Sequence, residues 1–187
     1  MKKYKVCIEG ISPLLMHGSQ NVGMDGDTGK KKGGNALLGD KNEWKKTIYF
    51  DENIGVYVPA INIEASLIEG AKQYKIGRGS ATKYVKSGVF ITDNELQLKV
   101  DGNTIKSLDE VEVDQRTVKN PSTKGRNMRY RAIFKMWSTE FTIMVSSDDY
   151  ISEDLLKNII DYSGMYVGVC DFRPRFGRFK VTKFEEV

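Results

Sequence analysis

The run Gly168-Val169-Cys170-Asp171-Phe172-Arg173-Pro174-Arg175-Phe176-Gly177-Arg178-Phe179 places three arginines, three phenylalanines and two glycines in twelve residues. Glycines let a backbone approach another molecule closely. Exposed amides beside guanidinium groups suit phosphate oxygens. Phe172 and Phe176 offer flat rings on which bases can stack, or which simply pack. Two further stretches are basic and free of acid: Gly70–Thr92 with five Lys or Arg, and Gln115–Thr139 with seven, among them Arg126, Arg129 and Arg131. With Phe172–Phe184 they hold 17 of the 29 basic residues, while the other 12 share the rest of the chain with all 25 acids. Net charge is only +4, so the segregation carries the argument. Basic stretches that converge in space attract a polyanion.

Groups able to do covalent chemistry are few. His17 is the single histidine, which removes most zinc sites and any catalysis needing two imidazoles. It suits a base or sugar contact, or a general base in metal-free cleavage. Asp25 and Asp27, with Asp40 further on, lie in a glycine-rich segment. Such carboxylates can hold Mg2+ against a scissile phosphate, or serve as ordinary turn residues. Met24–Lys31 ends like a phosphate-binding loop, but lacks its first glycine and the Ser/Thr after the lysine. Asp25-Gly26-Asp27 opens like a calcium loop, yet Lys30 and Ala36 occupy its sixth and twelfth positions. Lys30-Lys31-Lys32 reads as a flexible clamp for phosphates. Cys7 and Cys170 make no disulfide framework. No cofactor is expected, and Mg2+ enters only if the chain is a nuclease.

The elements that must position these residues follow from the pattern. At 187 residues and 21.2 kDa, the chain suits one domain, 1–187, with 18–46 as a flexible insertion. Lys3–Ile11 alternates as a half-buried strand, closed by Ser12-Pro13. Lys46–Phe50 and Gly55–Val58 read as a hairpin around Asp51-Glu52-Asn53. Pro59 opens a helix to about Lys75, with Ile63, Leu67, Ile68 and Ala71 on one face, ended by Gly77-Arg78-Gly79-Ser80. Short strands follow at Val89–Thr92 and Leu96–Val100, and Val111–Val118 alternates again. Arg129–Ser146 is the strongest β pattern and predicts a hairpin or bend near Ser138-Thr139. Ser152 caps a second helix with Leu155, Leu156, Ile159 and Ile160 inward, and Phe176–Phe184 is the last strand. Stripped of insertions this is strand, helix, strand, strand, helix, strand. The fold class predicted is α+β, a ferredoxin-like β-α-β-β-α-β sheet with helices on one face. The other sheet face and its loops are then open for binding.

Three separated segments resemble the RAMP superfamily, the RNA-binding subunits of CRISPR effector complexes, and most of all its backbone subunits. The first is Ile11-Ser12-Pro13-Leu14-Leu15-Met16-His17-Gly18, the second Val58-Pro59-Ala60-Ile61-Asn62-Ile63-Glu64-Ala65-Ser66-Leu67, the third the Gly168–Phe179 run. They fall in the family's order and at the predicted elements. The second lacks the family's Ser-Ser-Leu-Lys-Gly core, and the third has fewer glycines than the usual loop. The chain is also short for a backbone subunit, which fits a stand-alone relative from a phage or mobile element. The resemblance implies binding of single-stranded RNA or DNA, self-association along the strand, and partnership with other ribonucleoprotein subunits. A projecting segment, either 18–46 or the Arg116–Arg131 region, would pry bases apart.

The residues expected to carry binding are Arg173, Arg175 and Arg178 first, then Arg126, Arg129 and Arg131, then Lys30, Lys31 and Lys32, with His17 and Phe172 as base or sugar contacts. Two other readings stay open. One is a metal-dependent endoribonuclease using Asp25 or Asp27. The other is a protein-interaction module, a phage-borne inhibitor that mimics a backbone subunit. No apolar run approaches membrane-spanning length, and a cytoplasmic location is expected.

Overall fold

The computed structural model describes residues 1–18, 41–119, 122, 124–146 and 150–187. Strand β1 (Lys2–Gly10) has Tyr4, Val6 and Ile8 buried and Lys3, Lys5, Cys7 and Glu9 on its other face, as its alternation requires. A short β2 (Leu14–Met16) is buried throughout. Helix α1 (Glu43–Thr47) leads into β3 (Phe50–Asp51), which pairs with β4 (Gly55–Pro59). The Asp51 carboxylate closes that turn by accepting from the Asn53 and Ile54 amides at 2.8 and 3.1 Å. Helix α2 (Ala60–Gly70) starts directly after Pro59 and runs into a 3-10 turn, Ala71–Gln73. Next come the ribbon β5 (Lys75–Ile76) and β6 (Gly79–Ser80), helix α3 (Thr82–Gly88), and β7 (Val89–Ile91). Strands β8 (Glu95–Gln97), β9 (Lys99–Val100) and β10 (Asn103–Thr104) precede three long ones: β11 (Glu112–Lys119), β12 (Arg126–Phe134) and β13 (Trp137–Val145). Helix α4 (Glu153–Tyr162), capped by the Ser152 hydroxyl on the Leu155 amide, continues as a π-helical turn, Ser163–Val167. A loop then leads to β14 (Phe179–Glu186).

The protein is mixed α+β with several antiparallel sheets. In the central one, β1 lies between β13 and β14, and β13 takes β7 at one end and β9 at the other. Every one of these pairings is antiparallel. Ile63 and Leu67 of α2 and Leu156, Ile159 and Ile160 of α4 join Tyr4, Val6, Ile8 and Ile143 in one core, so both helices lie on the same face of this sheet. They touch closely: the Ser163 hydroxyl donates to the Ser66 and Ile159 carbonyls, and a Cβ on Gly70 would meet that hydroxyl at 2.1 Å. A second sheet, β11-β12-β2, stands beside the first, and a third joins β3, β4 and β8. Among the described residues no helix is long and apolar enough to cross a membrane.

Several expectations shift in detail. The bend predicted at Ser138-Thr139 falls at Lys135-Met136, and the two arms do not pair with each other: β12 belongs to the second sheet, β13 to the central one. Thr139 is instead buried mid-strand, its hydroxyl donating to the Gln97 carbonyl at 2.9 Å. Most of Lys46–Phe50 is not strand, because α1 extends to Thr47. Helix α3 was not anticipated. It is only seven residues long and buries Val85 alone, so it has no apolar period to read.

Candidate nucleic-acid interface

The three segments singled out in the sequence meet in space. The loop after α4 is bound to the segment after β1: the Asp171 amide donates to the Leu15 carbonyl at 3.0 Å and the Gly177 amide to the Pro13 carbonyl at 2.8 Å. In return the Ile11 amide donates to the Arg178 carbonyl at 2.9 Å, and the Arg178 amide to the Ser12 hydroxyl at 3.0 Å. From α2, the Asn62 amide group reaches the Cys170 sulfur at 3.7 Å. Burial pushes the Cys170 thiol up to about 12, so it stays protonated and inert.

The loop also crosses itself. The Val169 amide donates to the Gly177 carbonyl at 2.9 Å, and a Cβ on Gly177 (φ +73°) would lie 1.9 Å from the Val169 oxygen. Cys170 and Phe172 take left-handed backbone angles, φ 61° and 56°, and the Arg173–Pro174 peptide is cis. Held this way, residues 172–175 form an exposed tip. Phe172 is 47% exposed and stacks on Phe176, ring centroids 5.6 Å apart. The Arg116 guanidinium lies over Phe176 at 4.7 Å, which joins the tip to β11. Arg173 and Arg175 are exposed and meet no carboxylate among the described residues. Arg178 is half-buried, and its Nε donates to the Pro174 carbonyl at 2.7 Å, bracing the tip from within.

The second sheet supplies the neighbouring arginines. Arg116 and Arg129 face each other across β11 and β12, and Asp114 faces Arg131 on the same side. Each arginine has an acid: Arg116 with Asp114, Arg129 with Glu43, and Arg131 with Asp171 at 2.6 Å. Arg131 is only 6% exposed. Its Nε and the Asp171 oxygen are in ionic contact but out of hydrogen-bond alignment, and its Nη1 has no hydrogen-bond partner among the described residues. This pair clamps the terminal loop to β12, whereas Arg126, at the hairpin end with Lys119 and Lys124, is exposed. The clamp and the exposed tip are thus built from neighbouring residues with different jobs.

His17 sits half-buried at the end of this clamp. Burial holds its imidazole below the ordinary value of 6.5, Asp171 and Glu43 pull it up, and Arg131 and Arg129 push it down. The folded state favours the neutral ring, so the unfolded chain takes up its proton first on acidification. His17 therefore contributes stability that is complete above about pH 6.5 and is lost as pH falls through the folded-state pKa. Urea midpoints measured at about pH 7 and about pH 5 should differ more for the wild type than for His17→Gln. Equal pH slopes would refute this.

Asp25, Asp27, Asp40, Lys30, Lys31 and Lys32 lie outside the described residues. Among the described residues no three His, Cys, Asp or Glu side chains converge as metal ligands. The open face of the central sheet is a checkerboard: Lys5 pairs with Glu140 at 3.4 Å and Lys180 with Glu9 at 3.1 Å. Sequence reading missed a cleft of about 590 Å³ on the far side of the tip, between α2 and the π-helical turn. The spacing Tyr162-x-x-x-Tyr166 was its only sequence signal.

No protein-family model matches the chain, nor does any curated protein in sequence. Among solved structures, a chain from the cryo-EM structure of the Type III-B Cmr-beta bound to cognate target RNA is similar in fold, with a TM-score of 0.52 and 16% identity over 100% of the present chain. The present chain spans 60% of that neighbour's length.

Proposed function

We propose that this chain is a RAMP-type protein that binds single-stranded nucleic acid, holding phosphates at the terminal loop and self-associating along the strand in the cytoplasm, with or without other ribonucleoprotein subunits. The strand order β14-β1-β13-β7, antiparallel throughout with α2 and α4 as crossovers on one face, is the basis for reading the fold as ferredoxin-like. The likeness to a chain of an RNA-bound complex supports the ligand class. One observation carries the reading: Arg173 and Arg175, which meet no carboxylate among the described residues, stand on a tip held by two distant segments, residues 11–15 and Asn62 of α2. An exposed cation on a rigid loop retains its full attraction for phosphate, whereas a paired one has already spent it on its acid. The self-neutralised sheet face argues for a strand that runs along the loop and the β11–β12 hairpin rather than across the sheet.

A gel shift with single-stranded RNA, single-stranded DNA and duplex over a salt series tests this. Single strands should shift at lower protein concentration than duplex, and affinity should fall steeply with salt. Absence of any shift at low salt overturns the reading. Loss of intact RNA in the presence of Mg2+ would replace it with the nuclease reading.

A further inference from the structure

The cleft beside the tip has a chemistry of its own. Two of its lining residues are aromatic: Tyr162 meets Tyr166 with ring centroids 4.7 Å apart, and Tyr74, outside the lining, supports Tyr162 edge-on at 6.1 Å. Tyr74 is fixed by its hydroxyl, which donates to the Asn158 carbonyl at 3.0 Å. The outermost ring, Tyr166, is 60% exposed. Helix α2 and the turn after it contribute Ala65, Glu69 and Gln73 to the lining, and the tip contributes Arg173 and Pro174. The cleft therefore brings together a cation, aromatic rings, and a carboxylate acceptor beside an amide. Few ligands match all three. A phosphate suits the first, a planar ring the second, and a ring edge bearing an amino donor the third.

We infer that this cleft seats one nucleotide of the bound strand: its phosphate on Arg173, its base stacked on Tyr166, and its base edge turned to Glu69 and Gln73. The inference rests on the single-strand reading above and adds a preference that phosphate contacts alone cannot give. An acceptor carboxylate favours bases with an exocyclic amine, so adenine, cytosine and guanine are preferred to uracil. Glu69 is ion-paired with Lys72 at 2.6 Å, an exposed pair whose carboxylate the base edge would share.

The test is fluorescence anisotropy with labelled oligo(rA), oligo(rU) and an abasic chain of the same length, about twelve nucleotides. Wild type should bind oligo(rA) more tightly than oligo(rU), and the abasic chain most weakly. Tyr166→Ala should weaken oligo(rA) by about 10-fold, and Tyr166→Phe should keep the affinity, since stacking needs the ring and not the hydroxyl. Glu69→Gln should narrow the rA-to-rU ratio and leave the abasic chain unchanged. Tyr166 is exposed, so these variants fold, and matching thermal melts will confirm it. If wild type binds and Tyr166→Ala matches it on every chain, the nucleotide site is refuted while the single-strand reading stands. If Tyr166→Ala instead abolishes self-association at unchanged affinity, the cleft belongs to a second copy, and the site is likewise refuted. If wild type binds no chain at all, the parent reading falls first.

Discussion

Arg173→Ala/Arg175→Ala is expected to bind single-stranded RNA about 100-fold more weakly than wild type at low salt, with unchanged thermal stability. The magnitude follows from two charge-assisted contacts of roughly 1.5 kcal/mol each, the lower end of their range because both side chains are exposed. The salt dependence is the sharper readout. Each lost phosphate contact on a single strand lowers the slope of log affinity against log salt by about 0.7, so the double variant should lose about 1.4. Arg131→Ala makes the contrast. It would leave Asp171, within the loop and 30% exposed, without its counterion, a loss below the about 3–5 kcal/mol typical of breaking a fully buried pair. Its deficit should be one of stability, visible in urea melts before any strand is added. An affinity loss for the double variant with an unaltered slope would show that these arginines do not meet phosphates.

The second large effect concerns the backbone. Gly177→Ala forces a Cβ onto a left-handed residue and to within 1.9 Å of the Val169 oxygen, in a place where neither strand of the loop can yield. Left-handed strain and overpacking together cost about 3 kcal/mol, which lowers the Tm of a chain this size by roughly 10 °C. Strand binding should fall with it, because the Val169–Gly177 and Gly177–Pro13 hydrogen bonds hold the tip. Gly79→Ala is the control: nothing lies within 4 Å of its Cβ, and its Tm should be near that of wild type. A Gly177→Ala protein that melts like wild type would show that the crossing is looser than the geometry requires.

What could be read in the sequence was what depends on near neighbours. The alternation of Tyr4, Val6 and Ile8 sets the buried face of β1, and Ser152 before Glu153-Asp154 marks the start of α4. The Gly168–Phe179 run announced a tight loop because glycine and proline act locally. What was hidden depends on partners far along the chain. Gln115–Thr139 reads as uniformly basic, yet Arg129 and Arg131 find acids 86 and 40 positions away, at Glu43 and Asp171. The strand pattern of Arg129–Ser146 is real, but nothing in it says that its two halves enter different sheets. The tyrosine-lined cleft was invisible for the same reason: its lining comes from α2 and from a turn about 100 residues later.

The hydrogen bonds that tie residues 171–178 to residues 11–15 join segments more than 150 positions apart. Such a joint closes late, because loop-closure entropy must be overcome before it forms. A nascent chain not yet extended through residue 178 can fold part of its core before the tip is in place. On the proposed reading, a chain made only as far as residue 170 should not shift single-stranded RNA, even where its other segments fold.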